Sequence, residues 1–214
     1  MNERYFTTMD RLIIQADRVL SSLFQDRQET TSASPADGIE ETRLNRRERR
    51  HSAGLMRVNH AGEVSAQALY HGQALTSRNP LTRQNMQKAA REESDHLSWC
   101  RQRILELGDR TSLLNPVWYL GSLTIGTAAG IVGDKWSLGF VAETERQVVR
   151  HLQDHLQRLP ANDNKSRAIL LQMVKDETAH GEMAMAIGGV ELPVPVKIAM
   201  RLCSRVMTRS AYWV

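Results

Sequence analysis

Two four-residue stretches decide the fold of this chain: Glu93-Ser94-Asp95-His96 and Glu177-Thr178-Ala179-His180. In each stretch a glutamate precedes a histidine by three residues, and residues three apart lie on one face of an α-helix. A lone glutamate precedes each stretch at almost the same distance. Glu63 lies 30 residues before Glu93, and Glu145 lies 32 residues before Glu177. The chain therefore carries two copies of one set of carboxylate and imidazole groups.

Both stretches lie on apolar helix faces. Glu93 and His96 share a face with Met86, Ala89, Ala90, Leu97, Cys100 and Ile104. Glu177 and His180 share a face with Leu170, Met173, Val174, Gly181, Ala184 and Ile187. These spacings predict that the carboxylates and imidazoles point into the core. Burying an unpaired carboxylate costs several kcal/mol, so such a cluster needs a compensating positive charge.

The two lone glutamates are assigned from the same kind of pattern. Glu145 lies on the apolar stripe of Leu138, Val141, Ala142, Val148, Val149, Leu152 and Leu156. Glu143 is off that stripe, and we assign it to the surface or to the surroundings of the ligands. Glu63 has inward neighbours that include Ala66, Gln67 and Tyr70. A third Glu-x-x-His, Glu48 and His51, follows arginine-rich residues and is interpreted as a solvated basic segment.

One glutamate from each of two helices and Glu-x-x-His from each of two others form the ligand inventory of di-iron four-helix bundles. The predicted metal ligands are Glu63, Glu93, His96, Glu145, Glu177 and His180. Four carboxylates balance two divalent ions in charge. Carboxylate and imidazole ligands suit iron or manganese and do not exclude zinc. The alternative is that these residues are salt-bridged helix residues with incidental histidines. That alternative does not explain why two lone glutamates and two Glu-x-x-His steps recur in the same order at near-equal spacing.

Gly- and Pro-containing breaks divide the chain into four long helical segments, at about 51–76, 81–107, 134–159 and 165–187. This pattern predicts an all-α four-helix bundle with additional amphipathic or apolar helices. We place the bundle domain at residues 44–214. Residues 1–43 are predicted to form an amphipathic helix over 9–24 and a polar linker.

The composition is that of a soluble or peripheral protein: 214 residues, 41% hydrophobic, 24% charged and a net charge of +4. The two cysteines, Cys100 and Cys203, form no disulfide framework or cysteine-based metal motif. Glu3, Asp10 and Arg11 interrupt any apolar run of a secretory signal. We therefore expect a cytoplasmic protein, either free or bound at a membrane surface.

The ligand segments resemble the demethoxyubiquinone hydroxylases of ubiquinone biosynthesis. The resemblance spans about residues 44–214 and rests on four motifs: residues 57–63 (Arg-Val-Asn-His-Ala-Gly-Glu), 93–97, 141–145 and 176–180. It implies a ferritin-like bundle with a di-iron carboxylate core, two iron ions per chain held by the six residues above, and dioxygen as co-substrate. The implied activity is hydroxylation of a polyprenyl demethoxy-benzoquinol, with electrons from an external reductant or from the quinol.

A polyprenyl quinol resides in the bilayer, so the sequence should offer a membrane-binding surface. Residues 111–133 contain no charged side chain and are long enough to span a membrane, but a single span would separate the two ligand halves. We expect an interfacial segment or tunnel lid there, with a buried connecting helix as the alternative. Residues 197–209 form a basic amphipathic helix, and residues 46–50 add positive charge.

These features predict a peripheral enzyme on the cytoplasmic face of the cell membrane. The expected partners are the quinol substrate, a lipid-binding accessory protein and other enzymes of ubiquinone biosynthesis. No nucleic-acid readout motif accompanies the basic run, so we expect no nucleic acid partner.

Three other functions share parts of the pattern. A ferritin-like ferroxidase or iron-binding protein would form a hollow shell and would not need the uncharged segment 111–133. A radical-generating reductase subunit needs a tyrosine beside the metals, and Tyr70 is the one tyrosine on a ligand stripe. An alternative quinol oxidase would use the same substrate but release only water.

Overall fold

Six α-helices make up the computed structural model, which describes residues 32–40 and 43–214 and contains no strand within them. The helices are α1 (Arg46–Thr76), α2 (Pro80–Glu106), α3 (Asn115–Val132), α4 (Asp134–Arg158), α5 (Asn164–Ala186) and α6 (Val194–Ala211). The four long segments predicted from the sequence correspond to α1, α2, α4 and α5. The amphipathic helix predicted over residues 9–24 lies outside the described residues.

The four long helices form the bundle in two pairs. Helix α1 packs along α2, and α4 packs along α5, while α2 faces α5 and α1 faces α4. Helices α3 and α6 are the additional helices of the prediction. Helix α3 lies along α1 and reaches α4, and α6 lies across α1 and α4. Both additional helices therefore cover the α1–α4 side of the bundle, and no helix within residues 32–40 and 43–214 covers the α2–α5 side.

Helix α1 begins five residues earlier than the sequence pattern predicted, because Asn45 caps it. The Asn45 side chain accepts hydrogen bonds from the backbone of Arg47 and Glu48, and Glu48 accepts the Asn45 backbone N–H at 2.8 Å. This reciprocal capping box brings the basic residues into the first turn. Glu48 is thus a capping residue, and His51 lies 2.7 Å from the Tyr212 hydroxyl, so neither belongs to a metal site.

The two helix pairs are joined at one end by a buried ion pair. Arg103 near the end of α2 lies 2.9 Å from Asp163, and both side chains are almost completely buried. Asp163 also caps α5 by accepting the backbone N–H of Ser166. A buried charge needs a partner with good geometry, and this pair satisfies that need while fixing the start of α5 against α2.

Two apolar clusters lie above and below the predicted ligands in the bundle. The first contains, among others, Leu55, Met56, Cys100, Ile104, Leu152, Leu170 and Met173. The second contains, among others, Tyr70, Met86, Ala90, Leu138, Val141 and Ala184. In each of the four long helices the predicted ligand lies between residues of the two clusters. The polar groups therefore occupy one layer enclosed by two apolar layers.

Residues before α1 also contact the bundle. Ala36 and Leu44 are buried within the first apolar cluster, although composition predicted a polar linker for residues 25–40. The Ser32 hydroxyl lies 2.6 Å from the Asp95 carboxylate on α2. This segment thus crosses the α2–α5 side of the bundle close to the histidines.

Glycines allow α3 to approach α1 at backbone contact. A Cβ atom at Gly126 would collide with the carbonyl oxygen of Leu69, and one at Gly72 would collide with that of Leu123. Helix α3 has 18 residues, and none of the described helices combines the length and apolar content needed to cross a bilayer. One face of α3 packs on α1, while Val117, Leu120, Ile125 and Ile131 on other faces are exposed.

We predict that Gly126→Ala destabilises the chain by about 1–3 kcal/mol, because backbone atoms of α1 must move to admit the methyl group. Urea unfolding of the metal-free protein measures this change. Gly121→Ala is the matched control, since no atom lies within 4 Å of its added Cβ. It should be neutral or stabilise the helix by up to about 1 kcal/mol. Equal effects at both positions would contradict the proposed close contact.

Candidate metal centre

Four of the six predicted ligands meet in the middle of the bundle. Ligand atoms of Glu63, Glu93, His96 and Glu177 all lie within 4.8 Å of one another, and all four side chains are buried. They come from α1, α2 and α5, at the level between the two apolar clusters. Spacing of three within α2 places Glu93 and His96 side by side, with His96 Nδ1 3.3 Å from Glu93 Oε2.

The other two predicted ligands border this group. His180 Nδ1 lies 3.1 Å from Glu177 Oε2 and 3.6 Å from Glu93 Oε1. Glu145 is 2% exposed and interacts electrostatically with Glu177 and Glu63, but its Oε1 accepts a short hydrogen bond from the Tyr70 hydroxyl. The structure thus groups Glu63, Glu93, His96 and Glu177, places His180 against two of them, and turns one oxygen of the sixth predicted ligand towards a tyrosine.

Each histidine is held by an acid on the opposite helix. His96 of α2 has its Nε2 3.1 Å from Asp176 of α5, and His180 of α5 has its Nε2 2.9 Å from Glu92 of α2. We assign the proton to Nε2 in both rings, because a carboxylate accepts a hydrogen bond. Each Nδ1 then faces the carboxylate cluster. Carboxylates that orient metal-binding histidines in this way are common around metal sites.

Two carboxylates of the cluster, Glu93 and Glu145, resist ionisation, whereas at Glu177 the effect of burial is outweighed by hydrogen bonds from His180 and His96, which lower its pKa to about 2. Burial raises the pKa of Glu93 well above its usual value, and the negative charges of Glu177 and Glu63 raise it further. Burial also raises the pKa of Glu145, and the charge of Glu177 adds to this effect. Like charges in a dry site disfavour each other, so the pKa values of Glu93 and Glu145 both lie above the usual value for a glutamate.

The histidines respond in the opposite sense to their surroundings. Burial alone lowers the pKa of His96, but hydrogen bonds to Asp176, Glu177, Glu63 and Glu93 outweigh it and raise the pKa well above the usual value. For His180, burial lowers the pKa and the hydrogen bond to Glu177 raises it, with a net increase. Protons on the imidazoles thus partly compensate the carboxylate charge.

The residues present fit a metal ion. Among the described residues, neither Glu93 Oε1 nor Glu145 Oε2 has a hydrogen-bond partner, although both atoms are buried. Buried carboxylate oxygens without a donor are costly, and a cation removes that cost. Oxygen and imidazole nitrogen donors suit iron or manganese. The cluster can therefore hold metal, with Glu63, Glu93, His96 and Glu177 nearest to one another.

Sequence reasoning did not assign the roles of Glu92, Asp176 and Tyr70. Helix periodicity places Glu92 and Asp176 one position off the ligand stripes, but each reaches the histidine of the facing helix. An acid directly before each ligand glutamate was the available signal. Tyr70 was noted on the ligand stripe, but its hydrogen bond to Glu145 depends on the packing of α1 against α4, which one helix pattern does not reveal.

The position of Glu143 corrects the sequence assignment. Glu143 is only 3% exposed, so it does not lie at the surface. Its carboxylate lies 3.1 Å from Arg146, 3.6 Å from Arg150 and 3.7 Å from Lys197. The reason is that α6 covers this face of α4. Glu143 therefore attaches α6 to the helix that carries Glu145.

A four-helix bundle whose facing helices present buried Glu-x-x-His steps defines a ferritin-like protein with a carboxylate–histidine cluster able to hold metal. The sequence profile described as "Ubiquinone biosynthesis protein COQ7" matches residues 50–211. The chain belongs to this family, as its resemblance to demethoxyubiquinone hydroxylases predicted.

Individual relatives match nearly the whole chain. A protein of Nitrosococcus oceani named 3-demethoxyubiquinol 3-hydroxylase is 56% identical over all 214 residues and is itself covered completely. Proteins with the same name from Nitrosomonas europaea and Acinetobacter baumannii are 56% and 55% identical. They align with 96% and 98% of this chain and with 99% of their own lengths. The similarity therefore includes the residues before the bundle.

We predict that metal binding to this cluster weakens as the pH falls. The raised pKa values of Glu93, Glu145, His96 and His180 mean that protons occupy the donor atoms and must leave when metal binds. Affinity should fall about tenfold per pH unit for each proton displaced. Anaerobic calorimetry with Mn²⁺ or Fe²⁺ between pH 6 and 8, in buffers of different ionisation enthalpy, measures both affinity and proton release.

Two results would bear on this prediction. Replacing the exposed Glu182 of α5 with Gln should leave the pH dependence unchanged, because that carboxylate lies outside the cluster. Metal affinity that stays constant from pH 6 to 8, with no proton released, would show that the cluster is already ionised and would contradict the prediction.

Proposed function

We propose that this chain hydroxylates the ring of a 3-demethoxyubiquinol during ubiquinone biosynthesis, with dioxygen as co-substrate. The observation that carries the proposal is the end-to-end identity of 54–56% with proteins named 3-demethoxyubiquinol 3-hydroxylase. The buried Glu and His cluster is consistent with such a reaction because oxygen activation needs a redox-active group that ordinary side chains do not provide. None of the relatives named above is described as an iron-storage protein.

The reaction converts a ring C–H bond to C–OH and the second oxygen atom of dioxygen to water. Two electrons and two protons complete the balance, and the electrons come from an external reductant or from a quinol. Two iron ions held by Glu63, Glu93, His96, Glu145, Glu177 and His180 would supply the redox chemistry. Asp176 and Glu92 keep the Nδ1 atoms of the two histidines directed at the cluster.

The protein around the cluster controls water and orientation. The two apolar layers exclude solvent from the carboxylates, which strengthens every electrostatic interaction there. The Asp176 and Glu92 side chains are 33% and 38% exposed, so the acids that hold the histidines reach solvent on the α2–α5 side. Protons that the reaction consumes have a short polar path to the centre from that side.

We also propose that the enzyme lies peripherally on the cytoplasmic face of the membrane, with α3 and α6 towards the lipid. The support is a set of exposed apolar residues on α3 and α6: Val117, Leu120, Ile125, Ile131, Ile198, Leu202 and Val206. Arg201, Arg205 and Arg209 are exposed along α6. Exposed apolar and basic residues on one helix favour anionic lipid surfaces. Lys197 contributes less, because its amine is paired with Glu191.

We predict that this chain restores ubiquinone synthesis in a bacterial strain that lacks its demethoxyubiquinol hydroxylase. Mass spectrometry of the quinone pool should show the demethoxy intermediate in the deletion strain and ubiquinone after complementation. Glu177→Ala should fail, because it removes a buried member of the cluster. Glu182→Ala, at an exposed position of the same helix, should succeed. Failure of the unmodified, stably produced chain would reject the proposed function.

For membrane contact, we predict that Arg201→Glu with Arg205→Glu lowers binding to vesicles containing anionic phospholipid. A basic residue near such a surface contributes about 1 kcal/mol, so reversing two charges should weaken binding tenfold or more. Vesicle flotation at physiological salt measures the bound fraction. Arg91→Glu with Lys175→Glu changes the net charge equally on exposed α2 and α5 positions and should have little effect. Equal loss in both variants would contradict the assigned face.

A further inference from the structure

The metal cluster is approached from two sides of different character. On the α2–α5 side, a cavity of about 760 Å³ adjoins His96 and His180, and its lining combines charged residues such as Glu92 and Asp176 with apolar ones such as Trp99 and Met183. On the α1–α4 side there is a cleft with mainly apolar walls, and it is closed: no space for a water molecule remains in it. Its lining residues are Ala66, Leu69, Tyr70, Gln73, Phe140, Val141, Thr144 and Glu145.

The cleft leads to one residue of the cluster only. Glu145 is the single charged residue in its lining, and Tyr70 lies beside it. The Tyr70 hydroxyl donates a short hydrogen bond to Glu145 Oε1, and both side chains are 2% exposed. The Tyr70 hydroxyl therefore occupies Glu145 Oε1, which is the hydrogen-bond acceptor that a molecule entering through this cleft would reach first.

The position of the cleft matches the approach of a lipid-soluble substrate. The cleft lies between α1 and α4, on the side of the bundle that α3 and α6 cover. The Leu69 backbone in its wall touches Gly126 of α3. The exposed apolar residues of the described chain concentrate on α3 and α6. Apolar cleft walls and the exposed apolar faces of α3 and α6 accept a polyprenyl tail, whereas the wider α2–α5 cavity combines apolar residues with charged ones.

The chemistry of Tyr70 matches that of the ring which must reach the cluster. A quinol is a hydroquinone, and each of its hydroxyls is a phenol, as is the hydroxyl of Tyr70. A phenol that donates to a buried carboxylate can be exchanged for another phenol with little change in hydrogen bonding. A molecule without a hydroxyl leaves the carboxylate oxygen unpaired, which is costly in a buried site.

We propose that Tyr70 is a gate that mimics the substrate: its phenol holds Glu145 and closes the α1–α4 cleft until a hydroquinone hydroxyl takes its place on Glu145. This inference rests on the proposed function, and it adds a residue that selects the reduced quinol over the oxidised quinone. Quinones have no O–H group, so they displace Tyr70 without restoring the hydrogen bond. No covalent bond changes in this step.

The test uses two probes, of which only the first can donate a hydrogen bond. The first is a methoxy-methyl-hydroquinone with one isoprenyl unit, and the second is its dimethyl ether. Anaerobic titration of the full-length, metal-free chain gives the dissociation constant of each. Wild type should bind the hydroquinone about tenfold more tightly than the ether, the value of one buried hydrogen bond. Tyr70→Phe removes the competing phenol and should tighten both probes about tenfold.

Tyr119→Phe is the matched control. Tyr119 is also fully buried and its hydroxyl lies 2.9 Å from His71 on α1, but it does not line the cleft. It should leave both dissociation constants within about twofold of wild type. A second variant, Leu69→Trp, fills the cleft instead and should weaken both probes about tenfold. Circular dichroism and urea unfolding verify that each variant is folded.

The gate is overturned if Tyr70→Phe binds both probes as wild type does, or if wild type binds the ether as tightly as the hydroquinone. If the chain complements the deletion strain but gives either result, the gate is rejected and the proposed function is retained. If the unmodified chain fails to complement the deletion strain, both the gate and the proposed function are rejected. Tightening in Tyr70→Phe, with no change in Tyr119→Phe, supports the gate.

Discussion

The mutual repulsion of buried carboxylates governs this structure. Glu63, Glu93, Glu145 and Glu177 are each at most 2% exposed, in a layer closed by apolar side chains on both sides. Without compensation, every one of them would destabilise the fold by several kcal/mol. The structure uses two internal remedies: raised pKa values at Glu93 and Glu145, which favour their neutral forms, and imidazoles beside Glu177. The unpaired oxygens that remain suit metal. The buried cluster therefore lowers the free energy of unfolding at the site that is built for function.

Much of this arrangement followed from helix periodicity. The spacing of three between Glu93 and His96, together with the apolar stripe around them, was enough to predict which side chains point inward, since the period of an α-helix is a local property. Helix boundaries in the bundle were predictable to within a few residues for the same reason. The start of α1 was the exception, because the capping box at Asn45 extended the helix into an arginine-rich stretch that offered no apolar pattern.

What remained beyond the sequence depends on contacts between helices. Glu92 and Asp176 acquire their roles only when α2 and α5 are placed face to face. Sequence reasoning assigned Glu143 to the surface or to the surroundings of the ligands, because its own helix gives no indication that α6 will cover it. Tyr70 lies on a predicted inward stripe, but its pairing with Glu145 requires the packing of α1 on α4. Local patterns predict the facing of a side chain, and tertiary packing selects its partner.

The crossed pairs between α2 and α5 have a consequence for assembly. His96 depends on an acid of α5, and His180 depends on an acid of α2, so both pairs exist in one alignment of the two antiparallel helices only. Sliding α5 by one helical turn, a displacement of about 5.4 Å, would separate both pairs at once. The two contacts thus favour the correct register of α2 and α5 over a register shifted by one turn. An ion that requires both histidines in place would bind only correctly aligned chains, so loading of the centre also selects the native fold.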